Sequence, residues 1–180
     1  MKTVTWTTGS NPELDNLFNE LREQQYSDKS HRLWKNYSKE NFIHAVALTI
    51  HFDNQNNAVM CSSIASRPCW PNKTYRILNR LWKHSDKVTY RRSIGPSFGH
   101  SMTSQLAWLK ENTDFDLCFI SRQTDHWEDF VISEFKDRYD VEWKKGDYKY
   151  LTCPNECDHT CWQKIIYYGN QELLTEWKRQ

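Results

Sequence analysis

The chain has 180 residues, the length of one domain of ordinary size. Lys plus Arg is 24 and Asp plus Glu is 23, a formal net charge of +1, so no global basic field marks it for nucleic acid or an anionic membrane. Hydrophobic residues are only 38%, but 9 Trp, 9 Tyr and 8 Phe add large apolar rings, and 5 Gly with 5 Pro exclude fibrous and low-complexity classes.

Met1 to Gly9 lack the apolar core of a signal peptide, and residues 3–8 alternate Thr with Val or Trp, the period of a short strand. Ser10-Asn11-Pro12-Glu13 reads as a helix start, with a capping residue, an early proline and an acid in the first turn. Leu14, Leu17, Phe18 and Leu21 continue at helical spacing to about Gln25. The most apolar stretch, Phe42 to Phe52, is broken by His44, Thr49 and His51 and is too short to span a bilayer. A cytoplasmic protein with no membrane partner is expected.

Residues 44–52 and 58–64 are strand-like, and Asp53-Asn54-Gln55-Asn56-Asn57 between them is rich in turn formers, which predicts a hairpin. Tyr75 to Trp82 is a further strand of the same sheet. Ser93 to Gly99 reads as a loop, followed by a helix from about His100 to Asn112 with Met102, Leu106 and Leu109 on one face. Asp114 to Ser121 carries the continuous apolar run of a sheet interior. A helix through Trp127, Phe130, Val131, Glu134 and Phe135 follows, then strands at 148–152 and 162–168 and a short amphipathic end with Leu173, Leu174 and Trp177. No internal repeat or linker interrupts this order. It predicts a single α/β domain, a mixed and mostly antiparallel sheet flanked by helices.

That element order, with Arg92-Ser93-Ile94-Gly95-Pro96-Ser97 between the fourth strand and the next helix, resembles the GNAT (N-acetyltransferase) superfamily. In that family the loop reads Arg/Gln-x-x-Gly-x-Gly/Ala, and its amides bind the pyrophosphate of coenzyme A. The physics suits the pattern: amides at a helix start attract an anion, small residues admit it, and an arginine adds charge. The resemblance implies acetyl-CoA as cofactor and an acceptor amine as second substrate. It implies cofactor contacts from Leu81 and Trp82 through their amides and from Arg92, Ser93, Ile94, Gly95, Pro96, Ser97, Phe98 and Gly99. Ser121, with Arg122 and Gln123, stands at the C-terminal end of the buried strand, where ligands bind in open α/β sheets, and could contact the cofactor arm. The loop covers only a few residues; the element order covers most of the chain. Blocks such as residues 77–82 and 161–167 are also similar to proteins of T4-like marine phages, and the Asn-Arg-Leu-Trp block resembles phage Mom-type enzymes that modify DNA adenine. An enzyme acting on nucleic acid, or a non-catalytic protein binding a host factor, are therefore alternative readings.

Two departures from the family bear on chemistry. The fourth strand carries Asn79 and Arg80 where many members carry a basic glutamate, and Phe135 stands near the place of the tyrosine that protonates the thiolate. Asp125 and His126, at the end of the buried strand, and Tyr139 are the remaining acid–base candidates, although Asp125-His126 also reads as a helix cap with an exposed histidine. Six cysteines read as free thiols or metal ligands. Cys153, Cys157, His159 and Cys161 could hold zinc, but their spacing is not a standard zinc pattern and free thiols in a loop are the expectation. Trp127, Trp143 and Trp162 read as core, and Arg76, Arg80, Arg91 and Arg92 as either a phosphate-binding rim or scattered surface charge.

Overall fold

The computed structural model describes residues 2–27, 45–68, 70–83, 94–121, 129, 132–133, 135–137, 142–147, 164–170 and 172–173. For residues 24–27, 79–83, 94–98, 121, 147 and 164 it describes the path of the backbone. The strand β1 (Lys2–Thr7) turns into helix α1 (Pro12–Ser27) through Gly9, whose φ of 84° suits the third position of a tight turn closed from Ser10 N to Thr7 O at 3.0 Å. Asn11 caps the helix, its Oδ1 accepting from Leu14 N at 3.2 Å, and Pro12 follows as first helical residue. Asp15 then clamps turn to strand: Oδ1 accepts from Trp6 Nε1 at 2.8 Å and Oδ2 from Gly9 N at 3.1 Å.

β2 (Ala45–Phe52) and β3 (Ala58–Ala65) form the expected hairpin. Its turn is organised by one carboxylate. Asp53 Oδ1 accepts from Gln55 N at 2.9 Å and from Asn57 N at 2.8 Å, while Asn56 takes the left-handed φ of 62° that asparagine tolerates well. β4 (Thr74–Lys83), α2 (Ile94–Asn112), β5 (Leu117–Ser121), β6 (Lys144–Asp147) and β7 (Lys164–Gly169) complete the described elements. The strands hydrogen-bond in the order β1-β2-β3-β4-β5-β7-β6. β4 runs parallel to β5 over Thr74–Arg76 and Leu117–Phe119; the β1–β2, β2–β3, β5–β7 and β6–β7 pairs are antiparallel. The expected mixed, mostly antiparallel sheet with helices is the observed class.

The chain divides into two compact units, residues 1–65 with 78–111, and residues 66–77 with 112–180. In the first, Trp6, Phe18, Leu21, Leu48, Ile50 and Cys61 form a buried cluster, with the Trp6 and Phe18 rings edge to face at 6.4 Å. Burial in this apolar cluster pushes the Cys61 thiol far up, leaving it an inert, protonated group. In the second, Leu117 to Ile120 are all buried, as the unbroken apolar run predicted. Trp70 meets Phe119 edge to face at 5.1 Å, and the Arg67 guanidinium lies 5.7 Å from the Trp70 ring centre. Trp143 is buried against Phe135 and Tyr168, which agrees with its reading as core. Trp127, Trp162 and the strand expected at 148–152 lie outside the described residues; β6 runs over Lys144–Asp147. No described helix is long and apolar enough to cross a membrane.

The join between β7 and β5 depends on one glycine. Gly169 has φ 121°, and a Cβ there would overlap the carbonyl oxygen of Asp116. Asn170 N, the next donor along, bonds that same oxygen at 2.7 Å, so the oxygen is held in place. Gly9 also has positive φ, but a Cβ there would meet no atom within 4 Å. Gly169→Ala should therefore lower the melting temperature clearly more than Gly9→Ala. Backbone strain alone costs about 1–3 kcal/mol, at roughly 2–4 °C per kcal/mol for a chain of this size. Equal melting curves for the two variants would contradict the packing described.

Candidate active site

Period-two alternation sorts β1 and β2 into two faces. Val4, Trp6, Leu48 and Ile50 pack in the α1 cluster. Thr3, Thr5, Thr49 and His51 point the other way, toward α2. The ladder places Thr3 opposite His51, Thr5 opposite Thr49, and Thr49 opposite Ser62 of β3, so polar side chains meet across three strands. Thr5 Oγ1 lies 2.9 Å from Thr49 Oγ1 and 2.7 Å from Ser104 Oγ of α2.

Gln105, one residue beyond Ser104, has no exposed surface. Its Oε1 accepts from Leu78 N at 2.8 Å, and its Nε2 donates to Thr49 Oγ1 and Ser62 Oγ, each at 3.0 Å. The amide can sit only this way round, because Leu78 N–H is a donor and nothing else. Three bonds satisfy both ends of the side chain, which a buried amide requires, since an unmet buried group costs about 1–3 kcal/mol. Leu78 itself is unusual. Its φ is 50°, in the left-handed region, inside a strand. Such a residue marks a local irregularity that redirects the strand and the peptide donors along it.

α2 begins at Ile94, six residues before the expected start at His100. The sequence reads Ser93 to Gly99 as a loop ahead of the helix, with a plain Gly95-Pro96 turn as the alternative. A proline in the first turn breaks no helical bond, because N–H groups there have no acceptor within the helix. Ile94, Gly95, Pro96, Ser97, Phe98 and Gly99 are thus the opening turns of the helix rather than a loop before it. His100 becomes a helical residue, exposed, with its ring stacked on the buried His51 ring at 6.0 Å and 13°. His51 Nδ1 lies 2.8 Å from Thr3 Oγ1. Burial, then the neighbouring His100, lower the His51 pKa from 6.5 to about 4, with Asp53 opposing.

Of the expected site residues, Leu81 and Trp82 lie on β4 and Ser121 ends β5. Arg92, Ser93, Asp125, His126, Tyr139, Cys153, Cys157, His159 and Cys161 lie outside the described residues. Among the described residues no group of three or more His, Cys, Asp or Glu is placed to hold a metal ion. The sequence reading missed Thr49, His51, Ser62 and Gln105. A signal for Gln105 was present: it falls three residues after Met102 and four before Leu109, on the apolar stripe of α2.

No family model matches the sequence, and no curated protein matches it by sequence. Solved structures do match. A protein from Lactobacillus plantarum assigned as an N-acetyltransferase superposes with a TM-score of 0.56 and 9% identity, over 93% of this chain and 97% of that one. Tetrahymena GCN5 superposes with a TM-score of 0.50 and 10% identity, over 94% of this chain and 96% of that one. The fold is that of the GNAT acetyltransferases. A second Tetrahymena structure, the catalytic domain of the GCN5 histone acetyltransferase in complex with coenzyme A, gives a TM-score of 0.49 at 10% identity, over 93% of this chain and 92% of that one. With identities this low the GNAT likeness is one of backbone path.

His51 gives the GNAT-fold chain a pH signature. The folded imidazole takes its proton only near pH 4, whereas an unfolded one takes it near 6.5. Between those values the unfolded state binds more protons, so stability falls as pH drops through the window, by up to about 1.4 kcal/mol per pH unit. His51→Asn should flatten that part of the profile. Urea midpoints of both proteins at about pH 7 and pH 5 check it, and equal slopes would show that His51 is not buried as described.

Proposed function

We propose that the chain is an acyl-CoA-dependent N-acyltransferase that moves an acetyl or related acyl group to an amine. The observation that carries this reading is the start of α2. Gly95 and Ser97 stand in the first turn of a 19-residue helix, directly after Arg92 and Ser93 and at the far end of the connection from β4. The N–H groups of Ile94 and Gly95 have no acceptor inside the helix, and the positive end of the helix dipole adds to them. Gly95 presents no side chain to bar an anion, and Pro96 withdraws no donor the helix needs. That donor set fits the pyrophosphate of coenzyme A, with Arg92 as the neutralising cation.

Acyl-CoA supplies the thioester-activated acyl group when bound. In this reading Leu81 and Trp82 of β4 offer backbone N–H groups to polarise a carbonyl, and Ser121 of β5 contributes to cofactor binding. β4 contains Arg76, Arg80 and Lys83 and no acid. Asp125, His126 and Tyr139 remain the proposed proton carriers. An amine acceptor, small or on a macromolecule, is the proposed second substrate, and the cytoplasm of the cell that expresses the chain the proposed compartment.

Coenzyme A should raise the melting temperature in a concentration-dependent way, as any ligand of the folded state does. Arg92→Glu should abolish the shift, because losing a charged hydrogen bond costs about 1.5–3 kcal/mol before repulsion is added. The melting temperature of the unliganded variant serves as the control for folding. A wild-type titration flat to millimolar coenzyme A would end this reading. It would favour a nucleic-acid enzyme or a non-catalytic binding protein on the same fold.

A further inference from the structure

We infer that Gln105 is a positioning residue for the acyl arm: it sets the path of β4 beyond Leu78 and ties that path to the helix whose first turn holds the anion. The inference rests on the acyl-CoA reading but adds a residue that the reading does not use. Two observations meet at this side chain. Leu78 has a φ of 50°, which an L-residue adopts only where its surroundings hold it. Its N–H, turned out of the ordinary strand direction, ends on Gln105 Oε1 at 2.8 Å with no exposed surface on the glutamine. The bond is therefore the device that holds the irregularity, and it comes from a side chain rather than from a neighbouring strand.

Orientation of the amide is itself fixed from behind. Thr49 and Ser62 each accept from Nε2 at 3.0 Å, so the group cannot flip without leaving a donor facing a donor. Thr49 is supported in turn by Thr5, and Thr5 by Ser104. The helix reaches from this anchor to its first turn in about eight residues, or about 12 Å at 1.5 Å per residue. Ligand groups on β4 after residue 78 and anion contacts at residues 94–97 are thus registered against each other through one amide. Loss of the amide should leave the anion site intact and misplace the strand.

That split is measurable with two probes. Acetyl-CoA would use both parts, whereas 3′-phosphoadenosine 5′-diphosphate keeps the nucleotide and its phosphates and lacks the acyl-bearing arm. In the full-length chain, Gln105→Met should weaken acetyl-CoA binding tenfold or more by calorimetry and change the affinity for the nucleotide less than threefold. Gln105→Glu keeps an acceptor for Leu78 N–H and should recover most of the acetyl-CoA affinity. Amide exchange should report the same event without ligand, with Leu78 exchanging at least tenfold faster in Gln105→Met and not in Gln105→Glu. Should Gln105→Met fail to fold, the pair Thr49→Val with Ser62→Ala frees the amide while leaving its bond to Leu78, and a threefold or greater loss for acetyl-CoA alone is expected. Wild-type affinity for acetyl-CoA in the folded variant, or equal losses for both probes, would overturn the inference while leaving the acyl-CoA reading standing. A wild-type protein that binds neither probe would end that reading, and the positioning role with it.

Discussion

A buried glutamine must have every polar atom bonded, and that requirement organises the first unit. Gln105 can be satisfied only if a hydroxyl stands on β2, another on β3, and a free backbone N–H on β4. Each condition constrains sequence. Position 49 needs a side chain that both accepts and fits a pleated strand, which threonine does. Position 62 needs a small hydroxyl, and valine or alanine there would leave an amide hydrogen unmet. Leu78 must bend away from strand geometry for its N–H to be free at all. The network thus couples the strands to the placement of α2, because a slip of one residue in β2 would put Leu48 or Ile50 opposite the amide.

The two faces of the sheet in this unit are held by different physics. Toward α1 the contacts are mainly apolar and non-directional, the bond from Trp6 Nε1 to Asp15 apart, and Phe18, Leu48 and Ile50 could repack around a modest shift. Toward α2 the contacts include directional hydrogen bonds whose geometry tolerates little displacement. Directional bonds fix the position of a helix more sharply than apolar contact does.

Much of this was legible from the residues, and the parts that were not share a cause. Asn11-Pro12 announced a helix start because capping chemistry is local, and Asp53 to Asn57 announced a turn for the same reason. The buried run 117–120 was legible because both faces of a central strand are covered. The start of α2 was misjudged by six residues, because Gly95-Pro96 is ambiguous between a turn and a first helical turn, and only the neighbours decide. Leu78 was invisible. Nothing about leucine signals a left-handed φ; the cause lies 27 residues away in Gln105. The threonines of β1 were read correctly as one face of a strand, but their partners are non-local, so the polar network could not be drawn from spacing.

The composition of α2 finally shows why its middle has to be anchored. Gly95 and Gly99 each cost about 0.8–1 kcal/mol of helix propensity relative to alanine, and proline stands between them. These glycines and the proline are residues poorly suited to holding a helix. Thr103 Oγ1 bonds back to Gly99 O at 2.8 Å, a contact that does little for helix stability. The compensation comes from farther along. The three bonds of Gln105 and the Ser104–Thr5 contact contribute on the order of 0.5–1.5 kcal/mol each, which together match or exceed the propensity lost at the two glycines. Met102, Leu106 and Leu109, all buried beside them, add apolar area on the same face. The first turn can then carry glycine and proline, because the stability of the helix is supplied two to three turns away.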